Sequence, residues 1–156
     1  MSVADILDRA RAQGVMIATA ESCTGGMVAV ALTDVPGSSA VVERGFVTYS
    51  NQAKIEMLGV LPETLDAFGA VSEEVAREMA EGALGHSPAD LAVSITGIAG
   101  PGGSEHKPEG RVCFGLAQIG QATVTETRDF GAQGRDAVRR LSRDHALGML
   151  EHALEQ

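Results

Sequence analysis

Aromatic residues are almost missing from this chain: there is no tryptophan, one tyrosine and four phenylalanines in 156 residues. The stacking platforms on which single-stranded nucleic acid binds have little to be built from. Positive charge is short as well. Twelve Lys plus Arg against 21 Asp plus Glu give a formal net charge of −9, the wrong sign for a domain that grips nucleic acid by general electrostatics. Nucleic acid is not an expected partner. The two cysteines, Cys23 and Cys113, offer neither a metal-type pair nor a disulfide framework. The four histidines fall into no H-x-x-x-H spacing, so no metal and no cofactor is expected. No apolar run approaches the ~20 residues of a membrane span, and Asp5 and Asp8 interrupt the segment where a signal peptide would be apolar. The expectation is a cytoplasmic protein with no membrane partner.

Apolar residues make up 44% and charged residues 21%, close to the averages of soluble globular proteins. At roughly 150 residues per domain the length predicts one domain over 1–156. Glycine is the outlier, with 19 residues against a usual ~7%. Many of these glycines stand beside Ser and Thr, as in tight loops that approach a ligand.

Ser2 as N-cap, apolar residues at helical spacing and a closing Gly14 predict a helix over 3–13. A short buried strand over 15–20 follows, then a polar turn and a helix over 27–33. Residues 42–50 read as a strand, with Asn51 capping a helix that runs to Leu58. Further helices are predicted over 62–68 and from the Ser72 cap to Gly85, the latter with Glu73 and Glu74 in its first turn. Residues 91–96 form a strand that enters a glycine-dense loop. Residues 112–119 and 123–130 form a hairpin joined at Gly120-Gln121, and 135–154 a last helix. Early alternation of helix and strand with a late hairpin predicts an α/β fold, a three-layer α/β/α sandwich with a mixed central sheet.

Three segments could carry chemistry. In Thr19-Ala20-Glu21-Ser22-Cys23-Thr24-Gly25-Gly26 a strand delivers a hydroxyl and backbone N–H groups to a helix N-terminus, an arrangement suited to an oxyanion or a phosphate. Ser22 is the candidate nucleophile, although Ser22 or Thr24 as a plain N-cap fits the same letters. Neither G-x-S-x-G nor S-x-x-K is present to fix a mechanism. Only two lysines exist, and Lys54 follows the single tyrosine, Tyr49, at a strand end passing into a helix. A lysine whose charge is disfavoured can act as base and a phenol can relay its proton; a solvated lysine beside a tyrosine is the bland alternative. The run Ser94 to Gly103, with Thr96, Gly97 and Gly100, supplies N–H groups and a hydroxyl, or is simply a connecting loop. It matches neither the P-loop nor the dinucleotide fingerprint. Arg135 stands at the entrance of the last helix, where it can reach an anion. Arg139, Arg140 and Arg143 can equally pair with Asp136, Asp144 or Glu151.

Together, T-A-E-S-C-T-G-G (19–26), G-S-S-A (37–40), E-R-G-F-V-T-Y-S-N-Q-A-K (43–54), G-A-V-S-E (69–73), S-I-T-G-I-A-G-P-G-G (94–103) and G-R-D-A-V-R (134–139) resemble the CinA C-terminal domain family over nearly the whole chain. The resemblance implies an α/β/α domain, frequently a homodimer, in a family whose standalone members include nicotinamide mononucleotide deamidases. It matches Ser22 to the nucleophile, and Tyr49 and Lys54 to the groups that activate it. It also matches Ser39, Thr96 and Arg135 to further site positions. The expected reaction is hydrolysis of the carboxamide of nicotinamide mononucleotide to nicotinate mononucleotide and ammonia. Amides from Cys23 to Gly26 would hold the oxyanion, and either the glycine loop or Arg135 the phosphate. The alternatives are a non-catalytic nucleotide-binding or competence-associated module, and an amidase for another small amide. The latter is motivated by Glu109 and Arg111, which stand in a segment where family members commonly show K-P-V-G-x-V. The resemblance does not extend to the N-terminal molybdopterin-binding-like domain that many relatives carry, so that domain's activities are not expected here.

Overall fold

The computed structural model describes residues 2–104 and 106–155. Helix α1 (Val3–Gln13) opens on a capping box in which Ser2 Oγ accepts from the Asp5 N–H and the Asp5 carboxylate accepts from the Ser2 N–H. Gly14, at φ 70°, closes it. The Val15 N–H then donates back to the Ala10 carbonyl at 2.8 Å, which makes Val15 part of the helix cap. Strand β1 therefore starts later than its apolar letters predict, at Ile17, and runs to Glu21.

Helix α2 (Met27–Thr33) and a 3₁₀ turn (Ser38–Ala40) lead to β2 (Val42–Val47). Helix α3 (Asn51–Leu58) follows; its N-cap is Ser50, whose hydroxyl accepts from the Ala53 N–H, and Asn51 is the first helical residue. Then come α4 (Pro62–Phe68), α5 (Glu73–Gly85), β3 (Leu91–Gly97), β4 (Arg111–Gln118), β5 (Val124–Asp129) and α6 (Arg135–Leu154).

The five strands lie in the order β2-β1-β3-β4-β5. The first three are parallel, and β4 and β5 are antiparallel additions, so the sheet is mixed as expected. One face packs on α1, α2 and α6 through Ile6, Leu32, Val93, Ile95, Phe114 and Leu150. The other packs on α3, α4 and α5, where Ala18, Ala20 and Ala92 meet Leu58, Val75 and Met79. Helix α5 comes unusually close because Gly115 has no side chain: a Cβ there would lie 2.5 Å from the Ala76 carbonyl oxygen. Every residue of β1 is buried, so both layers close over it. The three parallel strands end together at the same edge of the sheet, the position where open α/β sheets place their ligands.

Candidate active site

The chain leaves β1 through a turn built around a buried carboxylate. Glu21 accepts from the Thr24 hydroxyl at 2.6 Å and from the N–H groups of Gly26, Val28 and Ala29 at 3.2, 3.1 and 3.0 Å. Glu21, not Ser22 or Thr24, thus caps α2, and it occupies the helix donors that sequence reasoning offered to an oxyanion or phosphate. The Gly25 N–H is also engaged, with the Ser22 carbonyl at 3.0 Å. The amides of Cys23 and Thr24 are the turn's remaining donors. Behind the turn, Arg139 Nε donates to the Cys23 carbonyl at 3.0 Å and Nη2 reaches the Thr24 carbonyl at 3.4 Å. Sequence reasoning left open a pairing of Arg139 with acids on its own helix; among the described residues it is Arg140 with Asp136 and Arg143 with Asp144 that form such pairs.

Relieved of a capping role, Ser22 is free to point at Lys54. Lys54 is 1% exposed although it stands in the second turn of a short helix. Its Nζ lies 3.0 Å from Ser22 Oγ, 3.0 Å from the Thr48 carbonyl oxygen and 3.4 Å from that of Tyr49. Those two carbonyls face the amine because β2 ends at Val47, short of the predicted Ser50, and the chain bends into the Ser50 cap. The amine thus donates to the Ser22 hydroxyl and to two backbone carbonyls, which hold it against the serine oxygen. Chemically this is an alcohol held 3.0 Å from a buried amine, a pairing that nucleophilic catalysis can use.

Tyr49 is tied to the amine by its carbonyl; its phenol is 60% exposed and accepts from Arg135 Nη2 at 2.8 Å. Arg135 Nη1 also donates to the Gly100 carbonyl at 2.8 Å, so the guanidinium bridges the tyrosine to the glycine loop. Together they wall a cleft of about 320 Å³ whose lining includes Cys23, Gly97, Ile98 and Gly100, within the size range of small-molecule sites. Ser22, 7% exposed, immediately precedes Cys23, which lines the cleft. Burial pushes the Cys23 thiol up to about 12, so the sulfur next to the serine stays protonated and poorly nucleophilic.

Other predicted positions divide. The Thr96 hydroxyl is buried and donates to the Ala70 carbonyl at 2.8 Å, holding a wall of the cleft. Gly25 and Gly26 do not line it; they border a separate depression with Arg143. Ser39 sits exposed before the first residue of β2, whereas the site lies past the last, a separation on the order of 15 Å at ~3.3 Å per residue. Within one chain the structure does not bring Ser39 to the cluster. Arg111 pairs with Asp129 at 2.8 Å and faces the α5 side, away from the cleft. Lys107 is structural, donating to the Phe68 and Val71 carbonyls. Among the described residues no three His, Cys, Asp or Glu side chains gather as a metal site, and no helix is long and apolar enough to cross a membrane.

Comparison with known proteins places the whole chain among a group of relatives. The chain is 56% identical to the nicotinamide-nucleotide amidohydrolase PncC of Escherichia coli over 141 residues, 90% of this chain and 85% of that protein. It is 60% identical over 125 residues to a CinA-like protein of Chlorobium phaeobacteroides, of which it spans only 30%. The crystal structure of the competence/damage inducible protein CihA from Agrobacterium tumefaciens superposes with a TM-score of 0.94 at 49% identity, covering 99% of this chain and 93% of that one. A family model described as the CinA C-terminal domain matches residues 2–154, and on that extent the chain belongs to the CinA C-terminal domain family.

Proposed function

We propose that the protein is a serine amidohydrolase that converts nicotinamide mononucleotide to nicotinate mononucleotide and ammonia. The observation that carries the mechanism is the buried 3.0 Å contact between Lys54 Nζ and Ser22 Oγ; the substrate comes from the relatives named for that reaction. Lys54 takes the Ser22 hydroxyl proton as the oxygen attacks the carboxamide carbon. The Cys23 and Thr24 amides face the developing oxyanion. The protonated amine then gives its proton to the departing nitrogen, and ammonia leaves a nicotinoyl ester on Ser22. Water attacks the ester with Lys54 again as base, and collapse frees the carboxylate and restores the hydroxyl. Tyr49 supports this twice, through its carbonyl on the amine and its phenol on Arg135, which meets the anionic end of the substrate.

The same reading takes a small nucleotide as partner, with no nucleic acid, no membrane and no cofactor, in a cytoplasmic homodimer; light scattering of the purified protein tests the assembly. A coupled ammonia assay with nicotinamide mononucleotide tests the activity, run with and without chelator. Release that is chelator-insensitive and absent from Ser22→Ala is expected. Full turnover by Ser22→Ala overturns the nucleophile, and no release by the wild type overturns the reaction.

A further inference from the structure

Behind the wall of the cleft stands a carboxylate that the reaction does not use. Gly110 N–H donates to the Ile98 carbonyl at 2.8 Å and Ile98 N–H to the Arg111 carbonyl at 2.9 Å, which extends the β3–β4 pairing and fixes residue 109 against the glycine loop. Glu109 Oε1 accepts from the Gly102 N–H at 2.6 Å. Its Cγ, Cδ and Oε2 fill the space where a Cβ on Gly100 would sit, within 2.6–2.9 Å of that point. Gly100 has φ 95° and Gly102 φ 81°, so the loop curls around the carboxylate. The same Gly100 presents its carbonyl to Arg135. Gly100 and Gly102 line the cleft, so a negative charge stands one residue layer from the space a substrate enters.

We infer that Glu109 is a specificity determinant that acts on the charge of the substrate. Its carboxylate takes the Gly102 amide, so the glycine loop does not serve as a phosphate cradle, and a phosphate dianion in the cleft meets a like charge through the loop wall. Arg135 is left to attract the phosphate against that repulsion. The site therefore favours the phosphate-free nucleoside amide, relative to the mononucleotide, more than the same site without that charge would. This inference rests on the amidohydrolase reading for its substrate pair.

The test compares nicotinamide mononucleotide with nicotinamide riboside in the wild type, Glu109→Gln and Glu109→Val. Glutamine keeps an acceptor for the Gly102 N–H, so it isolates the charge. The expected result is a KM for the mononucleotide lower by about tenfold in both variants at low salt, the size of one partly screened like-charge contact. The riboside constants and both kcat values stay within twofold, and the KM shift shrinks as salt is raised. An unchanged mononucleotide KM in Glu109→Gln overturns the inference. So does an equal effect on both substrates, which marks a loop tether or a contact to the shared ribose. If the wild type releases ammonia from neither compound, the amidohydrolase reading fails separately. Calorimetric Kd values for the two compounds, wild type against Glu109→Gln, then decide the inference by the same tenfold criterion.

Discussion

Replacing Lys54 by methionine removes one amine while keeping an unbranched side chain in its buried slot. A positioned general base contributes about 10²- to 10⁴-fold, so kcat for ammonia release from nicotinamide mononucleotide should fall by that range, roughly 3–5 kcal/mol of barrier. The fold should survive. The Thr48 and Tyr49 carbonyls and the Ser22 hydroxyl lose a partner, at about 1–3 kcal/mol per buried group left unsatisfied, while the cost of burying a polar amine disappears with it. A net loss of about 2 kcal/mol lowers the Tm by roughly 4–8 °C in a chain of this size and still leaves the native state dominant against a typical ~5–15 kcal/mol. Circular dichroism and a thermal melt check that point before kinetics are read. The sharper measurement is the double variant. Two groups that act in one proton transfer are not additive, so Ser22→Ala with Lys54→Met should be no slower than Ser22→Ala alone. A folded Lys54→Met enzyme within tenfold of wild type, or losses that multiply in the double variant, refutes the dyad.

Arg139→Met keeps the aliphatic stem but removes the donors to the Cys23 and Thr24 carbonyls, and should lower kcat about tenfold with KM little changed; steady-state kinetics on a variant with wild-type Tm decide it. Arg135→Met should raise the KM for the mononucleotide by about tenfold or more and leave the riboside unaffected, since only the former carries an anion for the guanidinium. Iodoacetamide at pH 8 should leave activity intact, because burial holds the Cys23 thiol at about 12; rapid inactivation with one alkylated Cys23 by mass spectrometry would contradict this. Both thiols are raised by burial, so the folded state binds its protons more tightly than the unfolded chain. Their contribution to stability is intact below the ordinary value of 9.0 and is lost as pH rises above it, for Cys23 towards about 12. Urea melts at pH 8 and 10.5 should show wild type losing more stability than Cys23→Ala, on the order of 1 kcal/mol per pH unit.

Local signals were enough for most of the fold. Helix α2 begins at Met27 and ends at Thr33 as its flanking glycines and Asp34 predict, and α5 starts at Ser72's cap and contains the closing Gly85. The errors came where tertiary contacts redirect a local preference: Val15 is captured by the α1 cap, and Thr48 and Tyr49 leave the strand because their carbonyls serve Lys54. In the site, Ser22, Lys54, Tyr49 and Arg135 were legible as rare or oddly placed polar residues and through the family resemblance. Glu21 was not, because an acid between Ala20 and Ser22 reads as part of a polar turn until β1 is known to be buried on both faces. Arg139 did carry a signal. It stands four residues after Arg135, one helical turn on the same face, whereas Arg140 lies elsewhere around the helix.

Under the proposed reading, the chemistry and the recognition fall to different parts of the site. Ser22 and Lys54 are sealed between β1, the end of β2 and α3, with the helix dipole of α2 answered by Glu21 and not by the substrate. Recognition would fall to Tyr49 and Arg135, both exposed, and to the glycine loop that Arg135 ties to the tyrosine. The net charge of −9 would oppose an anionic substrate at long range, but at physiological ionic strength charges more than ~8 Å apart are largely screened. What the substrate's anionic end feels is therefore the few side chains at the rim, Arg135 in favour and Glu109 against. A substitution there can change which nucleotide is preferred without altering the distance from amine to hydroxyl, whereas almost any change at Lys54, Glu21 or Arg139 alters the nucleophile whatever the substrate.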